Sequence, residues 1–206
     1  MSRPKTQFDN TLARATDLLD IFDQREADFA MHGVDLIDAD RDLVRASMLL
    51  SVAGLDHYFT QKFCDKLVGY LKSNEPNDQL VKLLSNSGLN TKSALELLVM
   101  DRPFRRVRTM VQDNLSRYTS HRTQKIDQLF QAMGYKKFCK NIEKRAGRRN
   151  LLKRVSRLVD LRNDIAHTAH LNSRGLPKAI DRDDVHSLVQ DLSIFVAYAD
   201  HEIEDK

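Results

Sequence analysis

Apolar residues recur at steps of three and four along almost the whole chain, and that period predicts an all-α protein. Between Phe8 and Phe29, the positions Leu12, Ala15, Leu18, Leu19 and Phe22 trace one helical face, and His32-Gly33 ends it. Asp38 or Asp40 is the expected N-cap of a long second helix reaching about Lys72. From Met48 to Phe59 its only polar residues are Ser51, Asp56 and His57, so it is apolar nearly all round, as a central helix must be. Ala53 and Gly54 would let a neighbouring backbone come close.

Ser73-Asn74-Glu75-Pro76-Asn77-Asp78 reads as a loop, followed by shorter helices over Gln79–Ser85, Thr91–Met100, Phe104–Tyr118 and Thr123–Met133. Ser85-Asn86-Ser87-Gly88 and Asp101-Arg102-Pro103 punctuate them, and Gly134 and Gly147 mark turns around a basic stretch. An amphipathic segment begins near Leu151, and a polar loop, Thr168 to Lys178, succeeds it. Asp181 or Asp183 then caps a last helix, with Val185, Leu188, Leu192, Phe195, Ala199 and Ile203 along its stripe. The chain contains no internal repeat. It reads as a single helical domain over residues 1–206, with a long central helix and residues 73–129 set apart as a candidate inserted helical region.

Composition agrees: glycine and proline are scarce and Trp is absent. Met1-Ser2-Arg3-Pro4 leads into a polar segment rather than a signal-like one, and no apolar run approaches the roughly 20 residues needed to span a bilayer. Cys64 and Cys139 lie far apart with no paired spacing, which argues against a disulfide framework or a zinc ribbon. The expectation is a soluble, cytoplasmic protein with no membrane partner and no cofactor.

Charge changes the picture more. The formal net charge of +4 divides into −4 over residues 1–100, +13 over 101–162 and −5 over 163–206. Ten Lys/Arg fall between Lys136 and Arg157, among them Lys144, Arg145, Arg148, Arg149, Lys153, Arg154 and Arg157, with Glu143 as the only acid. Such a density is an electrostatic footprint for phosphates, whereas an ordinary solvated helix face mixes signs. Tyr135 and Phe138 could stack on bases there or serve the core.

The basic stretch runs into Arg162-Asn163-Asp164-Ile165-Ala166-His167. Leu151, Val155 and Leu158 define a helical face on which Arg162 takes a slot suited to an apolar residue. A guanidinium in that slot is buried with a partner or faces a protein–protein seam, because an unpaired buried charge costs several kcal/mol. A fixed cation beside a group that titrates near neutrality is the minimum equipment for cleaving RNA without a metal. His167 lies about 140° round from Arg162 on an ideal helix. The two meet only if the helix ends between them or a second copy of the chain supplies one of them. The plain alternative has Arg162 snorkelling at a helix end and His167 capping its C-terminus.

Asp56 shares a stripe with Leu49, Val52, Phe59 and Phe63, so its carboxylate points where apolar groups point. It needs a cation, for which Arg162 is a candidate, or hydrogen bonds from core hydroxyl or backbone groups. His167 and His170 are three apart, a spacing seen in metal sites, but no carboxylate or cysteine cluster accompanies them and no metal is expected. Glycine-rich phosphate loops, Gly-x-Ser-x-Gly elbows and Cys–His pairs at recognisable spacing do not occur.

Arg162-Asn163 followed by His167, at the end of one helix and before a long final helix, resembles the HEPN superfamily (higher eukaryotes and prokaryotes nucleotide-binding). Leu49-Leu50-Ser51-Val52-Ala53-Gly54-Leu55-Asp56-His57-Tyr58 is similar to the small-residue helix ending in Leu-Asp-x-Tyr of the RiboL-PSP-HEPN-like branch. The motif resemblance covers roughly residues 40–72 and 130–204. It implies an all-α HEPN-like helical bundle that dimerises to bring the motifs of two protomers into one cleft. Many members are metal-independent endoribonucleases of toxin–antitoxin, phage-defence or RNA-processing systems. The resemblance makes His167 the group that deprotonates or orients a 2′-hydroxyl, Arg162 the stabiliser of the phosphorane, and Asn163 an orienting residue. One departure stands out. HEPN toxins paired with nucleotidyltransferase antitoxins carry a Tyr two positions after the His, where this chain has Ala169, so control by modification of that tyrosine is not expected.

The leading expectation is therefore a homodimeric, metal-independent endoribonuclease, a toxin or phage-defence effector with RNA as substrate and an antitoxin or defence protein as a further partner. The alternative is a non-catalytic HEPN-like module that binds RNA or nucleotides, or acts as a scaffold. A DNA-binding helix-turn-helix protein would draw on the basic helices alone.

Overall fold

The computed structural model describes residues 2–117 and 122–205; Tyr118, with which one expected helix ends, lies outside them. Nine α-helices occur among the described residues: α1 (Arg3–His32), α2 (Asp38–Ser73), α3 (Asp78–Asn86), α4 (Thr91–Leu98), α5 (Pro103–Arg117), α6 (Thr123–Gln131), α7 (Phe138–Ala146), α8 (Leu151–Thr168) and α9 (Arg182–Glu204). The all-α expectation is met. The chain divides into two compact units, one of residues 1–55 and 142–206, the other of residues 56–141.

In the first unit α9 packs on both α1 and α8. The α1 stripe of Phe8, Leu12, Ala15, Leu19 and Phe22 is buried, as is the α9 stripe of Val185, Leu188, Leu192, Phe195, Ala199 and Ile203. Helix α1 is longer than its apolar stripe suggests, because capping extends it at both ends. Ser2 accepts from the Lys5 N–H and its hydroxyl donates to Asp200 of α9 at 2.7 Å, while Gly33 closes the C-terminus at φ 65°. Gly54 is approached by side chains rather than by a backbone: a β-carbon there would lie 3.1 Å from Thr11 Cγ2 and 3.5 Å from the Phe8 ring.

In the second unit the rest of α2 buries Tyr58, Phe59, Phe63, Cys64 and Leu67. Phe130 and Phe138 stack at 4.5 Å, with Tyr135 edge-on to both; Phe138 is buried in the core, and Tyr135 packs half-buried at its edge. Asn77 caps α3 and also donates to the Gln131 and Ala132 carbonyls. Asp127 accepts from the Cys139 N–H in the first turn of α7, a helix formed where the sequence showed chiefly basic charge. Leu95, Leu98, Val99, Met100 and Phe104 remain exposed around the α4–α5 turn. No described helix is long and apolar enough to cross a membrane.

Replacing Gly54 with Leu is expected to destabilise the protein by about 1–3 kcal/mol through overpacking against Thr11 and Phe8. Urea unfolding would show it as a lower midpoint at unchanged slope, and a midpoint equal to wild type would mean that this contact yields freely.

Candidate functional site

Helix α8 is unequal along its length. Its first half buries Leu151, Val155, Leu158 and Val159, whereas from Asp160 to Ala169 no residue is buried, Leu161, Ile165 and Ala166 included. The motif stands on this uncovered half. Arg162 is half-buried and its guanidinium donates to Asn163 Oδ1 at 3.0 Å; among the described residues of this unit no ion pair holds it. His167 is exposed in the last turn. The helix does not end between them, so within one chain they diverge by about 140° of helical rotation. Lys153, Arg157, Asp160, Asp164 and His167 share one stripe of α8, and Arg162 lies on the opposite side. Asp56, half-buried on α2, is the first residue of the other unit.

A polar network that the sequence did not reveal sits behind the motif. After α8 the chain takes two successive left-handed residues, Ala169 (φ 53°) and His170 (φ 57°), which turn His170 inward to 3% exposure. The Nε–H of Arg45, itself buried on α2, donates to His170 Nδ1 at 3.3 Å. The same guanidinium donates to the Lys178 carbonyl at 2.9 Å and to Asp42 at 2.8 Å. His170 Nε2 faces Asp164 at 3.8 Å, and Asp164 accepts from Lys178 Nζ at 2.7 Å and from the Thr168 hydroxyl. The Lys178 ammonium, then the Thr168 hydroxyl, hold the Asp164 carboxyl below its usual range. Burial, with Arg45 beside it, holds the His170 imidazole below its usual value. An Arg45 donor on Nδ1 also requires His170 to be neutral on that nitrogen. The only sequence signals for this cluster were the two histidines three apart, and they point different ways.

The basic stretch is less bare than its own sequence implies, because its counter-charges come from α9. Arg145 pairs with Glu202 and Asp205, and Arg157 with Asp184. Asp191, fully buried, accepts from Arg148 on one oxygen and from Arg154 on the other. Lys144, Arg149 and Lys153 are left without an ion pair among the described residues.

Among the described residues no group of three or more His, Cys, Asp or Glu is placed to hold a metal. Cys64 and Cys139 are free and buried; burial pushes the Cys64 thiol up to about 12 and the Cys139 thiol up further, beside Asp127. Neither is a nucleophile near neutrality.

An all-helical fold whose penultimate helix ends in Arg-Asn-x-Ile-Ala-His, followed by a loop and a long closing helix, defines a HEPN-type domain. The chain belongs to the RiboL-PSP-HEPN family, whose model matches residues 9–205 and so runs through the middle region as well as the two motif segments. HEPN domains are frequently nucleases. No curated protein and no solved structure matches the chain.

The His170 network predicts a pH response. Its folded pKa lies below the unfolded value near 6.5, so the unfolded chain binds the extra proton first. The neutral-His contribution is complete above about 6.5 and is lost as pH falls toward the folded pKa. Melting temperatures across this range should fall with acidification in the wild type and fall less in His170→Gln; parallel curves would show that His170 does not carry the dependence.

Proposed function

We propose that this protein is a metal-independent endoribonuclease whose site is assembled from two copies of the chain. The observation that supports this best is the continuity of α8: Arg162 and His167 lie on different sides of one unbroken helix, on a half whose Leu161, Ile165 and Ala166 are not buried. A two-fold axis near this half would bring the Arg162 of one protomer towards the His167 of the other. RNA is the substrate, cut in single-stranded or structured regions, and the role is that of a toxin or phage-defence effector with a cognate protein partner.

In the proposed step a 2′-oxygen attacks the adjacent phosphorus, the P–O5′ bond breaks, and the products are a 2′,3′-cyclic phosphate and a 5′-hydroxyl end. His167, exposed to solvent, takes the 2′-hydroxyl proton or orients it; the leaving 5′-oxygen receives a proton. Arg162 supplies fixed positive charge to the equatorial oxygens, its fork oriented by the bond to Asn163 Oδ1. No metal is needed for this displacement.

With end-labelled single-stranded RNA in EDTA, the wild type should cut and His167→Ala should lose at least about 100-fold in rate with folding intact. Equal rates in both proteins would remove His167 from the reaction. RNA binding without cutting by either would favour the non-catalytic RNA-binding module.

Composite assembly has its own test. Arg162→Ala and His167→Ala should each be inactive, yet an equimolar mixture after subunit exchange should recover about a quarter of wild-type activity, because half the dimers carry one intact site of two. A mixture that stays inactive would mean that each protomer must supply both residues.

A further inference from the structure

The buried carboxylate of Asp191 arranges more positive charge than it neutralises. Arg148, in the turn between α7 and α8, and Arg154, in the second turn of α8, each bond one of its oxygens. Arg154 also donates to Ser187 Oγ at 2.6 Å, which leaves the Ser187 hydroxyl hydrogen free to donate elsewhere. Arg149, exposed and without an ion pair among the described residues, lines the same cavity as Arg148 and Arg154, so three guanidiniums gather around one buried anion, a net +2. Arg148, Arg149, Arg154 and Ser187 line a cavity of about 570 Å³ together with Ala146 and Gly147, with Asp191 buried behind them. Helix α8 opens beside it with no acid in its first turn and no side-chain cap from Asn150.

We propose that this cavity is a phosphate seat that anchors the RNA strand several nucleotides away from the bond to be cut. The assignment rests on the RNA-cleaving reading and adds a second contact point to it. Guanidinium forks with a hydroxyl donor match the several acceptor oxygens of a phosphate, and Asp191 holds two of the forks in place in advance. An ordinary surface cluster of lysines would have to be ordered on binding, whereas here the ordering is already done by a buried ion. The position also fits. Arg149 and Arg154 line a second cavity, of about 850 Å³, which continues along α8 past Lys153, Arg157 and the acid Asp160 as far as Asp164. That path follows the stripe that ends in His167. From Arg154 to His167 the helix rises about 20 Å, a span of several nucleotides rather than one. The strand seated at Arg149 is thus led toward the histidine of the same protomer, with the arginine on the far side coming from its partner.

The test is equilibrium binding of an oligouridine long enough to span α8, measured over a NaCl series. All proteins carry His167→Ala so that no substrate is lost. Arg149 makes no ion pair among the described residues, so Arg149→Gln leaves the Arg148–Asp191 and Arg154–Asp191 pairs intact; Lys144→Gln, another exposed cation without an ion pair among them, is the matched control. Arg149→Gln should weaken binding about tenfold at low salt and lower the log K against log salt slope by about one. Lys144→Gln should do distinctly less. Equal losses in the two variants would overturn the seat and leave only diffuse attraction. A further arm titrates inorganic phosphate while following arginine Nε–H resonances. Phosphate shifts that depend on Arg149, with unchanged RNA affinity, would mean a site for free phosphate and would overturn the anchoring of RNA. An Arg149-dependent slope here, beside a wild type (His167 intact) that leaves the same RNA uncut in EDTA, would sink the nuclease reading while the seat stands. Absence of RNA binding would sink both.

Discussion

A carboxylate with no access to solvent joins the two helices on which the first unit turns. Asp191 sits in the apolar stripe region of α9 and would be costly there alone; two guanidiniums from the α7–α8 turn and from α8 make its burial tolerable. That demand fixes the rotation of α8 against α9. With Arg154 directed at Asp191, Val155, Leu158 and Val159 go into the core, and the stripe that ends in His167 is tied to α9 at Arg157, through Asp184. The orientation of the motif is therefore a consequence of an ion pair made two turns earlier.

The same clamp reorganises the electrostatics. A run of ten cations with one acid suggests a uniform attractive field, yet Arg145, Arg148, Arg154 and Arg157 are all met by α9 carboxylates. Two kinds of cation result: exposed ones without an ion pair among the described residues, such as Lys144, Arg149 and Lys153, and the guanidiniums of Arg148 and Arg154, held in position by Asp191. For holding a phosphate at a fixed point, the held ones matter more, because their ordering cost is met by folding and not by binding.

The loop after α8 serves the motif from behind. Two consecutive left-handed non-glycine residues are unfavourable, and they persist because His170 is gripped by Arg45 while Asp164 is gripped by Lys178. This network decides where the helix stops, at Thr168, one residue past His167. It leaves His167 at the exposed edge and takes His170 out of reach of any ligand the first could bind.

Much of this architecture was legible in the chain. The 3.6-residue period of Leu12–Phe22 and of Val185–Ile203 marks helices whose apolar faces must be buried, and Gly33, Asn77 and Asp181 mark ends, because caps act through their immediate neighbours. The Arg162–His167 spacing likewise settled that the two residues diverge if the helix is continuous, since that follows from the helical repeat alone. Three things needed the tertiary structure. The counter-charges of the basic stretch lie 27 to 60 residues away on α9, and no local pattern shows which carboxylates will meet which guanidiniums. The grip of Arg45 on His170 spans 125 positions. Phe138 went into the core, with Tyr135 half-buried against it, because Phe130 was there to receive them. Local sequence determines which way a backbone turns and which face is apolar; the pairing of charges across helices is decided only once folding has made distant residues neighbours.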